Sequence, residues 1–136
     1  MPGLPPVKRF TTRSGVRIYR IPCRVYESLT ARVYLVLGAG PATLVDTGGG
    51  STESTRHVLA GVATVRTEFG EPARPEDIRR ILLTHGHRDH VGGAWDLLEI
   101  SSAELGIHPL ASKALTAPRE WAALGKRRMD AFLREA

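Results

Sequence analysis

A short run of metal-binding side chains is the most informative feature of this 136-residue chain. Three of its five histidines stand within six consecutive positions, together with an aspartate: His85, His87, Asp89 and His90. Neutral imidazole and carboxylate are ligands that zinc, iron and manganese accept. A polar loop that is rich in histidine without a chemical role is the weaker interpretation. The run therefore predicts a metal site.

The flanking sequence predicts how these ligands are held. The apolar stretch 81–83 before the run indicates a buried strand, and 91–99 after it indicates a helix. Side chains alternate along an extended segment, so His85 and His87 point to one side and can bind one ion together. Asp89 and His90 fall where the chain bends into the helix, from which they can reach a second position nearby. Two metals roughly 3.5–4 Å apart can share a hydroxide between them.

Residues 84–93, Thr-His-Gly-His-Arg-Asp-His-Val-Gly-Gly, resemble the T-H-x-H-x-D-H-x-G-G signature of the metallo-β-lactamase-fold superfamily, in the form typical of its glyoxalase-II-like hydrolases. A second match lies at 44–48, where Leu-Val-Asp-Thr-Gly resembles the family's strand that ends in a D-T-G turn. The resemblance extends over about residues 16–110. The histidine motif is highly specific, whereas the turn alone would be weak.

The resemblance implies a role for each ligand. His85 and His87 would serve a first metal, and Asp89 and His90 a second. Asp89 would also help to position the attacking hydroxide, which makes it the candidate catalytic residue. Asp46 would lie just behind and orient the histidine loop, with a plain turn residue at the strand end as the competing interpretation. The implied cofactors are two zinc ions per complete site, and iron or manganese accept the same ligands.

Part of the family's ligand set is missing from this sequence. The family's hydrolases add a third histidine from much later in the chain, and usually a bridging aspartate and a final histidine. His57 and His108 do not stand in matching positions, and we predict that both are structural. We therefore predict a single, truncated domain over residues 1–136. Its class would be α/β, the first half of an α/β/β/α sandwich.

Two classes of function follow from this ligand set. The first is a metal-dependent hydrolase, in which a metal-bound hydroxide attacks the carbonyl of a small ester, thioester or lactone. The second is a non-catalytic or regulatory module that keeps the fold and part of the site. A nuclease of the same superfamily is a minority alternative. The missing ligands predict that the isolated chain is inactive even if its parent protein is a hydrolase.

Composition fits an ordinary soluble protein of the cytoplasm. The hydrophobic content is 42%, the net charge is +5 and the pI is near 10.0. The basic residues are scattered, and no nucleic-acid-binding motif is visible, so nucleic acid is not the expected partner. The lone Cys23 cannot form an internal disulfide and is predicted to be a small buried residue. No apolar segment predicts a signal peptide or a membrane span.

Strand and helix patterns alternate along the chain, as in an α/β fold. Strands are predicted at 16–21, 32–37 and 42–46, and a helix from Ser51 that ends at Gly70. A turn follows at 75–77. One or two helices are predicted over 118–135, with four buried candidates: Trp121, Leu124, Phe132 and Leu133.

Half of a two-sheet sandwich would leave one face of its sheet uncovered. We predict that this face is apolar and consists of Val33, Leu35, Leu44, Ile81 and Leu83. Large exposed apolar patches are unusual on soluble monomers. A second copy of the chain could cover the face, which predicts a symmetric dimer. The helix from position 118 onward could cover it instead.

Overall fold

The computed structural model describes residues 3–117, 119, 120 and 123. The described part contains six strands, β1 to β6: Lys8–Thr11, Arg17–Tyr26, Leu29–Leu37, Thr43–Val45, Arg80–Leu83 and Glu104–Ile107. It also contains four α-helices, α1 to α4: Thr52–Phe69, Arg88–Val91, Ala94–Ile100 and Lys113–Thr116. Short 3-10 turns lie at Pro75–Asp77 and Pro109–Ala111. None of these helices is long and apolar enough to cross a bilayer.

The six strands form one mixed sheet in sequence order. Strands β1 to β4 pair antiparallel, whereas β4, β5 and β6 pair parallel. Parallel neighbours need a crossover connection, which α1 supplies between β4 and β5, and α2 with α3 between β5 and β6. The predicted α/β class is confirmed. This topology places the C-terminal ends of β4 and β5 side by side, and both conspicuous sequence motifs begin there.

Strand β2 is longer than the predicted strand at 16–21, and its buried face is Tyr19, Ile21 and Cys23. The sequence pattern obscured this face because Arg17 also belongs to it. Glu71 satisfies the polar groups of Arg17 and Tyr19 on this face, because its carboxylate accepts hydrogen bonds from the Arg17 guanidinium and from the Tyr19 hydroxyl. Cys23 is fully buried, as predicted.

Helix α1 has the bounds that its capping residues predict. The Ser51 hydroxyl accepts a hydrogen bond from the Ser54 N–H at 3.1 Å, which satisfies one of the unpaired donors of the first turn. Gly70 ends the helix in the left-handed conformation, with φ of 71°. Gly61 lies against Ile21 so closely that a Cβ atom would come within 2.1 Å of the Ile21 Cγ2 atom. The helix therefore covers the sheet face to which Ile21 belongs.

The apolar face predicted to be uncovered is in fact the covered one. Val33, Leu35, Leu44, Ile81 and Leu83 are all buried within the chain, at 5% exposure or less. The register explains the error, because Val33 pairs with Ile21, the residue against which α1 packs. These five residues therefore belong to the core between sheet and helices, and that part of the dimer prediction is wrong.

The opposite face of the sheet is mixed in character. Across β2 to β5 it presents Arg20, Tyr34, Val45 and Leu82, which are register partners in successive strands. Leu82 is 40% exposed and the other three are partly exposed. The helices predicted over 118–135, with their four buried candidates, lie almost entirely outside the described residues.

Candidate metal centre

The four ligand candidates are brought together at the end of β5. The His85 ring centroid lies 4.8 Å from that of His87 and 4.0 Å from that of His90. The Nε2 atom of His90 is 3.4 Å from Oδ2 of Asp89. A loop of four residues joins Leu83 at the end of β5 to the first turn of α2. The rigid elements on both sides thus hold three imidazoles and one carboxylate in a single cluster.

Asp46 lies directly behind this cluster and is 4% exposed. Its Oδ1 atom accepts from the Thr84 N–H at 2.9 Å, and its Oδ2 atom lies 2.8 Å from Nδ1 of His90. An ionised carboxylate only accepts hydrogen bonds, so Nδ1 of His90 is the donor in this pair. In a neutral imidazole the Nε2 atom then keeps its lone pair, and it points toward the Asp89 carboxylate. A histidine oriented by a carboxylate in this way is a common arrangement behind metal sites.

The same reasoning extends to His85 through Thr84. The Thr84 hydroxyl lies 2.9 Å from both carboxylate oxygens of Asp46 and 2.8 Å from Nδ1 of His85. Because the hydroxyl has one hydrogen and donates it to the carboxylate, it accepts from Nδ1 of His85. The Nε2 atom of His85 is then also free of hydrogen. Burial, followed by the nearby His90 and His87, lowers the pKa of His85, and this favours the neutral form that metals bind.

Asp46 adopts a strained backbone conformation to make these contacts. Its φ is 64°, in the left-handed region that residues other than glycine seldom occupy. Aspartate is among the few residue types that tolerate this region. Its N–H continues the β4–β5 pairing by donating to the Leu82 carbonyl oxygen at 2.8 Å. The left-handed turn directly after that bond directs the next residues toward α2.

The loop after Asp46 packs backbone to backbone on the turn between α2 and α3. A Cβ atom on Gly92 would lie 2.4 Å from the Gly49 carbonyl oxygen, and one on Gly93 would lie 2.3 Å from that of Thr47. The Thr47 N–H and hydroxyl both donate to the His90 carbonyl oxygen, each at 2.8 Å. The single helix predicted over 91–99 is accordingly broken into α2 and α3 at the glycine pair. Sequence reasoning missed Thr47, whose only signal was its place in the D-T-G turn.

The donor chemistry fits a transition-metal ion, since imidazole and carboxylate ligands lie together in this cluster. In the part of the chain that the structure describes, no three His, Cys, Asp or Glu side chains are arranged to hold one ion. The assignment of two motif ligands to each ion therefore stays a prediction. His57 and His108 serve other contacts: their Nδ1 atoms accept hydrogen bonds from the backbone N–H groups of Arg24 and Leu110.

Comparison with known proteins identifies the family. The sequence model of the metallo-beta-lactamase superfamily matches residues 29–132, which include both motifs. The chain belongs to this superfamily. Its fold is accordingly that of a metallo-beta-lactamase fragment, as the sequence resemblance predicted.

Three solved structures illustrate the relationship. The metallo-beta-lactamase family protein TTHA1429 from Thermus thermophilus is 26% identical, with a TM-score of 0.63 over 81% of this chain and 36% of that one. MEM-A1, a subclass B3 metallo-beta-lactamase isolated from a soil metagenome library, is 26% identical, with a TM-score of 0.55 over 72% of this chain and 32% of that one. The Rm3 metallo-beta-lactamase is 27% identical, with a TM-score of 0.56 over the same shares.

These comparisons limit how far the likeness extends. The chain spans about a third of the length of each of the three structures. MEM-A1 is described as a subclass B3 metallo-beta-lactamase, and the predicted glyoxalase-II-like branch is not confirmed.

Proposed function

We propose that this chain forms the metal-binding part of a metal-dependent hydrolase that acts on the carbonyl of a small ester, thioester or lactone. The observation that carries the proposal is the contact chain from Asp46 through His90 to Asp89. It fixes one imidazole nitrogen as a hydrogen-bond donor and leaves the other bare beside a carboxylate. Neither feature is needed for a histidine that only stabilises a loop.

In this proposal His85 and His87 bind one ion, and Asp89 and His90 bind the second. Zinc is the expected metal, and iron and manganese fit the same donors. A metal held here would lower the pKa of a coordinated water to roughly 7 and so supply a nucleophile at neutral pH. Asp89 would help to orient that nucleophile, and Asp46 would keep the His90 ring in the tautomer that binds through Nε2.

Hydrolysis of a β-lactam is the second candidate. It is favoured by the subclass B3 metallo-beta-lactamases among the similar structures. The two candidates require the same nucleophile and differ in the substrate, which is a strained cyclic amide in one case and an ester or thioester in the other. A non-catalytic module and a nuclease are the remaining alternatives.

We propose that the protein lies in the cytoplasm, where its single cysteine, the buried Cys23, stays reduced. Self-association of the chain is still a prediction, although the five apolar residues expected to carry it are buried within the chain. Arg20 and Arg32 share the opposite face of the sheet, and their like charge would oppose a dimer formed through that face.

The test is a substrate panel applied to the natural gene product that carries this sequence, loaded with zinc, manganese or ferrous iron. We expect turnover of a thioester or lactone that chelation abolishes, that added metal restores, and that H87A lowers at least a hundredfold. Faster turnover of a chromogenic cephalosporin would favour the second candidate. Metal binding without turnover of any carbonyl substrate would indicate the non-catalytic module, and cleavage of RNA or DNA would indicate a nuclease.

A further inference from the structure

Thr47 makes an unusual pair of contacts to a single acceptor. Its side chain is fully buried, and both its N–H and its hydroxyl lie 2.8 Å from the carbonyl oxygen of His90. That carbonyl belongs to α2, a helix of only four residues, and the last carbonyls of a helix have no partner within it. Thr47 thus supplies two donors from a loop 43 residues earlier in the sequence.

The adjacent residues Asp46 and Thr47 therefore fix both the ring and the main chain of His90. The Asp46 carboxylate lies 2.8 Å from Nδ1 of the ring, and Thr47 binds the main-chain carbonyl. When the ring nitrogen and the carbonyl are both fixed, little freedom is left for rotation about the side-chain bonds between them. The remaining ring nitrogen is then directed at the Asp89 carboxylate, 3.4 Å away.

We propose that Thr47 is a positioning residue for His90. Its hydroxyl keeps the Nε2 atom of His90 directed toward the Asp89 carboxylate. The proposal rests on the proposed role of His90 as a metal ligand. A single donor from the Thr47 N–H would leave the peptide group of His90 free to tilt about one bond. The second donor removes that freedom, and threonine suits the task because its branched side chain has few rotamers.

A purely structural hydrogen bond is the alternative, and the chain offers a matched control for it. The Thr43 hydroxyl also donates to a backbone carbonyl, that of Pro41 at 2.9 Å. Thr43 is 7% exposed and lies at the start of β4, whereas Thr47 follows the end of the same strand. T47V and T43V therefore each remove a comparable hydrogen bond, but only T47V removes one that is made to His90.

The experiment compares the 136-residue chain with T47V, T47S and T43V. Valine keeps the shape of threonine and removes the donor, and serine keeps the donor. In T47V we expect Co(II) affinity, followed by visible absorption, to fall about tenfold, as for other residues that support metal ligands. T47S and T43V should stay within twofold of the wild type. Urea unfolding should show similar losses of stability in T47V and T43V.

A second readout needs no metal. In the metal-free chain, NMR couplings between the Hα and Hβ atoms of His90 report the rotamer about its Cα–Cβ bond. We expect a single rotamer in the wild type, T47S and T43V, and an average over several rotamers in T47V. An unchanged rotamer in T47V, or an equal loss of cobalt affinity in T43V, would overturn the positioning role.

These outcomes separate the inference from the proposed function. If the wild type binds no cobalt and the His90 side chain of T47V still averages over several rotamers, the metal proposal fails and the positioning of His90 stands. If T47V does not fold, T47A removes the same donor without the branched side chain and is judged by the same two readouts.

Discussion

The Asp46 carboxylate lies 2.8 Å from Nδ1 of His90, although the two residues are 44 positions apart in sequence. The contact joins the end of β4 to the first turn of α2, and it sets the tautomer of the ring. Its existence depends on the parallel pairing of β4 with β5, because that pairing brings the ends of the two strands together. A carboxylate directly after the end of one strand thus orients a histidine beyond the end of the next.

D46N should weaken metal binding with little effect on folding. Asparagine tolerates the left-handed backbone at this position, but its amide cannot accept hydrogen bonds at both oxygen positions. An amide nitrogen facing His90 would favour the tautomer with hydrogen on Nε2, which has no lone pair on that nitrogen for a metal. We expect Co(II) affinity to fall about 10–100-fold, measured by titration. D77N, in the exposed 3-10 turn, is the control. Unchanged affinity in D46N would contradict the role given to Asp46.

The metal content of the isolated chain should be low. The motif supplies two protein ligands for each ion, and the described part of the chain shows no group of three. We expect fewer than two metal ions per chain after dialysis against a mild chelator, measured by elemental analysis. Retention of two ions per chain would mean that further ligands come from residues outside the described part or from a second copy.

Local signals in the sequence were enough for some elements. Ser51 and Gly70 predicted the ends of α1, and the spacing of the histidines predicted that they share one region. Both predictions depend on chemistry within a few residues, namely capping, the special backbone freedom of glycine, and alternation along an extended segment.

Long-range contacts account for what the sequence could not predict. The buried face of β2 depends on Glu71, which satisfies Tyr19 from 52 positions away. The break between α2 and α3 depends on Thr47, whose N–H and hydroxyl donate hydrogen bonds to the carbonyl oxygen of His90. The choice of the covered sheet face depends on where α1 crosses, and apolar periodicity alone does not specify that.

Acid should destabilise the fold partly through Glu71. The hydrogen bond from Arg17 is the largest cause that lowers the pKa of Glu71 below its ordinary value of 4.5. A carboxyl group with a lowered pKa stabilises the folded state above its ordinary pKa, and this stabilisation is lost as the pH falls through the folded-state value. We expect the urea unfolding free energy to fall from pH 6 to pH 3, and to fall less in E71Q. E99Q, exposed on α3, should behave like the wild type. Parallel pH profiles for wild type and E71Q would contradict this assignment.

G50A should destabilise the chain because two backbones meet at that residue. Gly50 has φ of 70°, and a Cβ atom there would lie 2.2 Å from the Gly92 carbonyl oxygen. Gly40 has a similar φ of 87° with nothing within 4 Å of an added Cβ atom, so G40A shows the cost of the backbone conformation alone. That cost is about 1–2 kcal/mol, and overpacking against backbone adds about 1–3 kcal/mol in G50A. Urea unfolding of both variants gives the difference. Equal losses would contradict overpacking at Gly50 and would mean that the loop after Asp46 shifts to admit the methyl group.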